Sequence, residues 1–288
     1  MRLTEILACP TCHGALDGVV CTGCGRSYAS RDGVLDLTPV PPPDAEVLER
    51  WDLWEALQAN GESAYEIDPP NNLSLGERED VRAFARFAQL EGRVLDVGCG
   101  PQALPSYAPQ QPGEFVGIDP LMGEQPRRFA FVKGIAEYLP FADAAFDRVL
   151  FATSIDHVLS PRLAVGEAAR VTKPGGAVVV WVSEPAGPRS PRERAVSAVR
   201  MLTRGELRAL ARAVRSALPE RTRPDDGTMR VRTAGATMTF KVPDGAIDAF
   251  HFMHPDAALV EQWMVSAGLE VEAIERPLPG HCFIRARR

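Results

Sequence analysis

The sequence predicts an α/β protein built on a doubly wound, mostly parallel sheet, with a small cysteine-rich module in front and an α+β insertion near its end. Three observations carry that prediction. Four apolar runs, "RVLDVGCG", "FVGID", "FDRVLFAT" and "AVVVWVS", follow one another from residue 93 with helical patterns between them, as parallel strands buried on both faces do. The first run ends in a glycine-rich turn, the place where such sheets receive ligands. Ahead of all this stand two Cys-x-x-Cys pairs within sixteen residues, which is metal-site spacing rather than a disulfide framework.

Residues 1–38 read as short strands and turns around the pattern C-x2-C-x8-C-x2-C, with Cys9, Cys12, Cys21 and Cys24 as candidate ligands. Each pair can fold into a knuckle that aims two thiolates at one ion, and four thiolates in tetrahedral array suit Zn²⁺. Pro10 stiffens the first knuckle, and Gly25 follows the second, where a positive φ turns amides toward the sulfurs. His13 holds the equivalent place after Cys12, a small irregularity. Four protein ligands close the site, so the metal is structural, and a module this small depends on it for folding.

"TPVPPPD" at 38–44 is a stiff linker. Residues 39–90 then carry two helical patterns, "AEVLERWDLWEALQ" and "EREDVRAFARFAQL", with Val81, Phe84, Ala85 and Ala88 on one face of the second. Trp51 and Trp54 are candidates for a pocket wall. The sheet domain occupies 91–184 and resumes over 247–288, with a helix "PDAALVEQWMVSAG" and strands "LEVEAIE" and "HCFIRAR". Between them, 185–246 is a cap that would choose the substrate. Thr203 and Glu206 form a capping box ahead of an Arg-rich helix, and "TMRVRTAGATMTFKV" alternates as a hairpin around Ala234-Gly235.

The chain has 288 residues and a net charge of −6, which excludes binding nucleic acid through overall basicity. Charge is nevertheless uneven: residues 185–232 hold twelve Arg against five acidic residues, a stretch able to attract phosphate or carboxylate groups. The longest apolar run, "AVVVWV", is far too short to span a bilayer. The apolar stretch before "ILAC" is too short for a signal peptide. A cytoplasmic protein is expected.

"VLDVGCGPQA" at 94–103 could pass for the G-x-G-x-x-A dinucleotide fingerprint, with Asp119 at the distance of a ribose ligand. Asp96 two residues before the first glycine, and Pro101-Gln102 directly after the second, argue against it. Downstream, "GIAEYLPFADAAFDRVLFATSIDHVLSPRLAVGEAARVTKPGG" resembles the class I S-adenosylmethionine (SAM)-dependent methyltransferases, through "LPF", "FD-x-V", a His-containing segment after the fourth strand and "RV-x-KPGG". The resemblance covers about residues 75–184 and 247–288 and implies a Rossmann-like fold with SAM as cofactor. It implies that Gly98, Cys99 and Gly100 face the amino-acid end of SAM, with Asp96 ordering that loop. Asp119, followed by Pro120, would accept from the ribose hydroxyls; Ile135, Ala136 and Glu137 would lie along the adenine, and Thr153 near the methionine portion. The family often has Asp where Ile135 stands, which removes a side-chain contact to the adenine amine. The cysteine module, through its knuckles, Tyr28 and "DGVLDL", resembles the zinc ribbons of methyltransferase activators and of rRNA guanine methyltransferases.

Methyl transfer to a hydroxyl or ring nitrogen needs a base, and His157 with Asp156 are the catalytic candidates, while His251 and His254 in "HFMHP" are candidate substrate contacts. A small-molecule acceptor, anionic if the Arg-rich cap meets it, is expected, by O- or N-methylation. The alternatives are an RNA methyltransferase that uses the ribbon and cap, or a non-catalytic adaptor. The ribbon surface is left for recognition or for a second copy of the chain in a homodimer.

Overall fold

The computed structural model describes residues 3–67, 78–108, 114–123, 125–184, 227–232 and 237–288. Its centre is a nine-stranded sheet. In chain order the strands are β3 (Ala29–Arg31), β4 (Val34–Asp36), β5 (Val94–Val97), β6 (Phe115–Asp119), β7 (Ala130–Lys133), β8 (Phe146–Ala152), β9 (Thr172–Ser183), β12 (Glu270–Leu278) and β13 (His281–Arg287). Across the sheet they lie in the order β12-β13-β9-β8-β5-β6-β7-β4-β3. Pairings from β4 through β9 are parallel, and the two ends of the sheet are antiparallel.

The four runs read as buried strands are buried: every residue of β5 and β6 is buried, as are seven consecutive residues of β9. Chain order reverses at β5, with β6 and β7 on one side and β8 and β9 on the other. That reversal opens a crevice outside the carboxyl ends of the strands.

Two departures from the sequence reading follow from short elements. β7, "AFVK", was not among the expected strands; four residues between turns give too little pattern to see. The helical connections are also fewer than expected. Among the described residues, α4 (Pro161–Val171) is the one α-helix between β5 and β9. The stretch after β5 turns repeatedly instead, because Pro101 and Pro105 cannot donate to a helix ladder.

Of the remaining helices, α1 (Ala45–Glu49) and α2 (Trp51–Ile67) precede the sheet. Helix α3 (Glu79–Ala88) packs on β12 and β13; Val81, Phe84 and Ala88 of the expected face are buried, with Phe87 and Ala83, whereas Ala85 is half-buried. Helix α5 (Ala257–Ser266) is capped by Asp256, which accepts from the Leu259 amide. A hairpin of β10 (Thr228–Arg232) and β11 (Thr237–Lys241) has the alternation expected of it, Met238 and Phe240 facing inward. Its turn at Ala234-Gly235 and the Arg-rich helix with Thr203 and Glu206 lie outside the described residues. No helix among the described residues is long and apolar enough to cross a membrane.

The amino-terminal module begins with a two-stranded hairpin, β1 (Leu16–Asp17) and β2 (Val20–Cys21), and then joins the sheet. Asp36 of β4 pairs with Lys133 of β7 and forms an ion pair with it at 2.9 Å. Ile6 and Ala8 exchange backbone hydrogen bonds with Ala142 and Pro140. Ile6, Cys9, Cys21, Tyr28 and Leu37 belong to the main core. The module is thus continuous with the sheet it was expected to sit beside.

Candidate active site

A cavity of about 360 Å³ opens at the carboxyl ends of β5, β6, β7, β8 and β9. One half is lined by the turns that follow β5, β6 and β7; the other by the end of β8, Trp181, Ser183, His281, Phe250 and the inner face of α2.

The first half is governed by close approach. Gly98 has φ +75°, and a Cβ there would collide with the Ser154 side chain; only glycine fits both constraints. Ser154 itself donates to the Val97 carbonyl and so ties the end of β8 to the end of β5. Gly100, φ +71°, donates its amide to Asp119 Oδ2 at 2.7 Å, and Leu121 donates to Asp119 Oδ1 at 2.8 Å. The carboxylate therefore braces two turns while each oxygen keeps a lone pair for a further donor. Burial pushes its carboxyl above the usual range.

Asp96 is wholly inaccessible and does not line the cavity. Tyr107, which does, donates to its Oδ2 at 2.7 Å, whereas Oδ1 has no partner. Burial pushes this carboxyl up to about 7. Cys99, Pro120, Ile135 and Ala136 line the cavity. Glu137 lies on the wall too, but its carboxylate accepts the Ser160 amide at 2.9 Å and holds the loop before α4; burial pushes it up to about 7.

Arg127 escaped the sequence reading. Its guanidinium donates to the carbonyls of Gly100 at 2.6 Å, Leu121 at 3.0 Å, Met122 at 2.9 Å and Gln102 at 3.3 Å. It also lies 3.6 Å from the Phe131 ring centroid, and so clamps the glycine turn to the turn after β6. No local pattern marks it, since its acceptors are backbone carbonyls and the Cys99 sulfur, 3.8 Å away. Tyr65, another residue the sequence did not point to, lines the cavity from α2, and burial pushes its phenol up to about 12.

In the second half, Thr153 is exposed at the cavity with φ +58°. His157 lines it as well, and Trp54, the pocket aromatic of the expected pair, donates Nε1 to the His157 carbonyl at 3.1 Å. Trp51 packs on Trp54 instead of lining the cavity. Trp181 donates to His281 Nδ1 at 3.1 Å, and both face the cavity, although neither was expected there. Asp156, His251 and His254 stand off the cavity wall, next to His157. His251 stacks at 4.4 Å on His157, and His254 is more exposed, bonded to Asp248.

On the far side of β7 the four cysteines converge. Cys9 and Cys24 sulfurs are 3.8 Å apart, Cys12 and Cys21 3.4 Å, and all four lie within 4.8 Å of one another. Bonds of about 2.3 Å at tetrahedral angles would set sulfurs about 3.8 Å apart. Amides of Thr11, Gly23 and Cys24 point at sulfur, and that of Cys24, with others, lowers the Cys21 thiol to about 6. The irregular first knuckle proves regular in shape: His13 takes φ +57° where Gly25 takes +73°. The His13 ring turns away toward Glu167, at 3.7 Å.

Residues 95–180, from β5 into β9, match the model of the methyltransferase domain family. That stretch is similar to a methyltransferase domain. Among curated proteins it is similar to a fatty-acid O-methyltransferase of Mycolicibacterium smegmatis, 36% identical over 39% of this chain and 48% of that protein. It is also similar to a ubiquinone biosynthesis O-methyltransferase of Hahella chejuensis, 33% identical over 48% of this chain and 61% of that one. The chain thus spans about half the length of these relatives. A solved N1-methyltransferase of Burkholderia thailandensis, with bound 1,6-didemethyltoxoflavin and S-adenosylhomocysteine, aligns over 93% of this chain and 97% of its own at 14% identity and a TM-score of 0.49. The matched stretch includes the glycine turn, Asp119 and Glu137 and leaves out the four cysteines.

Proposed function

We propose that the chain transfers a methyl group from SAM to an oxygen or nitrogen of a small-molecule acceptor. The observation that carries this reading is one continuous cavity with two unlike halves, a glycine-cradled half and a half lined by aromatic and histidine side chains. The residues fit the cofactor. The turn at Gly98 has no space for a side chain, so its backbone is free to meet the amino-acid end, and Asp96 offers a buried oxygen without a partner to order that loop. Asp119 has acceptor capacity for a vicinal diol, and Ile135, Ala136 and Glu137 form a wall for the adenine, with Cys99, Pro120 and Thr153 flanking.

When bound, SAM supplies an electrophilic methyl carbon on a sulfonium. This chain's part is to orient the acceptor in line with it and exclude water. Trp54, Trp181 and Phe250 provide apolar walls for that, and His157 on the cavity wall, with Asp156 3.8 Å behind it, is the proposed pair for the acceptor proton. The names of the two curated relatives, fatty-acid and ubiquinone-pathway O-methyltransferases, support a small molecule. Residues 185–226, with ten of the twelve Arg on which an RNA or anionic acceptor would depend, lie outside the described residues.

The cysteine module is proposed to hold one structural Zn²⁺ through Cys9, Cys12, Cys21 and Cys24, in the reducing cytoplasm, and to back the wall formed by residues 133–142. Calorimetric titration of SAM into the zinc-loaded protein tests the cofactor. Micromolar binding is expected, weakened by about 10- to 100-fold in Asp119→Ala, the equivalent of about 1.5–3 kcal/mol for a charged hydrogen bond. A folded protein that binds no SAM sinks the reading.

A further inference from the structure

Beside the second half of the cavity, two loops far apart in sequence bring three donor atoms to one point. Asp156 and His157 follow β8, and His251 follows the hairpin. His157 Nε2 is 3.8 Å from Asp156 Oδ1, and His251 Nε2 is 3.7 Å from Asp156 Oδ2. The donor atoms of all three residues lie within 4.8 Å of one another. Two metal–ligand bonds of about 2.1 Å span up to about 4.2 Å, so the Asp156 contacts already fit one ion and a small ring rotation closes the set.

What surrounds these atoms favours a metal over a plain hydrogen-bonded network. His157 Nδ1 lies 3.2 Å from the Phe250 carbonyl, to which it can only donate. His251 Nδ1 lies 2.9 and 3.0 Å from the two oxygens of Asp248, which also accepts the Phe250 and His251 amides and His254 Nε2. In both rings the proton is therefore held on Nδ1, and the lone pair on Nε2 is left facing Asp156. A second acceptor, Asp156 Oδ1, is buried there without a partner. Three acceptors turned toward one another repel unless an added proton or a cation sits between them, and a metal ion can meet all three at once. A histidine oriented through Nδ1 by a carboxylate or carbonyl, with Nε2 free, is the arrangement found around bound metals.

The geometry points to a divalent transition-metal site formed by Asp156, His157 and His251, with Asp248 as the outer carboxylate. Two imidazoles and a carboxylate suit Zn²⁺, Fe²⁺, Co²⁺ or Mn²⁺ better than Mg²⁺ or Ca²⁺. Three protein ligands leave coordination positions open, and His157 lies on the cavity wall, so an acceptor oxygen can fill one of them. Resting on the proposed methyl transfer, this site would bind acceptors that present a hydroxyl. The bound hydroxyl releases its proton to water more readily, and its oxygen lone pair then forms the bond to the methyl carbon. The carbon–sulfur bond breaks with its electrons kept by sulfur, which gives S-adenosylhomocysteine.

The test is to titrate Co²⁺ into full-length protein whose cysteine site already holds zinc, reading the visible ligand-field spectrum and the metal content per chain. One equivalent is expected beyond the cysteine-bound zinc, without thiolate-to-cobalt charge transfer. It is lost in His251→Gln and in Asp156→Asn, and about 10- to 100-fold weaker in Asp248→Asn. No uptake, uptake only by exchange at the cysteines, or uptake unchanged in both ligand variants overturns the site. Wild-type stoichiometry decides even if a variant fails to fold. SAM is titrated into the same samples: SAM binding without cobalt uptake removes the metal site alone, and cobalt uptake without SAM binding removes the methyl-transfer reading alone.

Discussion

The glycine-turn half of the cavity takes its wall from three successive strand ends, residues 98–100, 119–121 and 134–137, whereas the other half is gathered from α2, the end of β8, Trp181, Phe250 and His281. The first half is fixed by backbone: amides on Asp119, carbonyls on Arg127, and a glycine with no room for a Cβ. The second is made of side chains that span up to 227 positions, from Trp54 to His281. Backbone groups are supplied by any residue, so the half proposed for the cofactor depends on few side chains, Gly98 and Asp119 among them. The half proposed for the acceptor is made of side chains that can vary one by one, and substrate choice is proposed to lie there.

The largest way to break that contrast is from behind. The cysteine module hydrogen-bonds to Pro140, Ala142 and Lys133, next to the cavity wall at 134–137, and several of its residues belong to the main core. With the proposed zinc in place, a chelator is expected to unfold the module and loosen that wall. Structural zinc sites contribute on the order of 10 kcal/mol, and about 1 kcal/mol moves Tm by roughly 2–4 °C at this size. Tm should therefore fall by more than about 10 °C and SAM affinity should drop with it. Unchanged SAM binding after chelation would show that the two parts are independent.

A smaller effect sharpens the cofactor half. Asp96 has its carboxyl raised to about 7 by burial, and Glu137 likewise. An acid with a raised folded pKa keeps its proton in the native state while the unfolded chain releases it. The stability that these two groups contribute to the SAM-free protein is thus full below about pH 4 and declines as pH rises toward 7. Asp96 contributes on the order of 4 kcal/mol to that decline. In Asp96→Asn the decline across pH 4–7 should shrink, Glu137 supplying what remains, and SAM affinity should fall. Thermal melts at pH 4.5, 6 and 7.5 decide; identical slopes in the two proteins would mean that Asp96 is not protonated at neutral pH.

Much of the cofactor half was legible because its signals are local. Gly98, Gly100 and Asp119 lie in runs whose burial on both faces leaves continuous apolar text, and the cysteines are paired by spacing alone. Arg127, Tyr65 and His281 were not legible, because each acts through partners far away in sequence or through backbone atoms that any residue supplies. The fusion of β4 to β7 rests on a single registered pair, Asp36 with Lys133, and a short edge strand leaves no periodicity to read. His157 was found through its position after the fourth strand. Its relation to His251, 94 residues on, exists only in three dimensions.

The mildest change probes the acceptor half. Trp54 donates Nε1 to the His157 carbonyl while its ring forms part of the cavity wall. Trp54→Phe keeps an aromatic wall and removes one hydrogen bond, worth about 1 kcal/mol, leaving the His157 carbonyl without that donor. Because Trp54 makes no hydrogen bond to the glycine turn or to Asp119, SAM affinity should stay within about twofold. Once an acceptor is in hand, its KM should rise by about fivefold, the equivalent of 1 kcal/mol. Equal losses for SAM and acceptor would mean that α2 serves both halves alike. Acceptor use that changes alone would place substrate choice on α2 and the loop after β8, outside the backbone-built cradle.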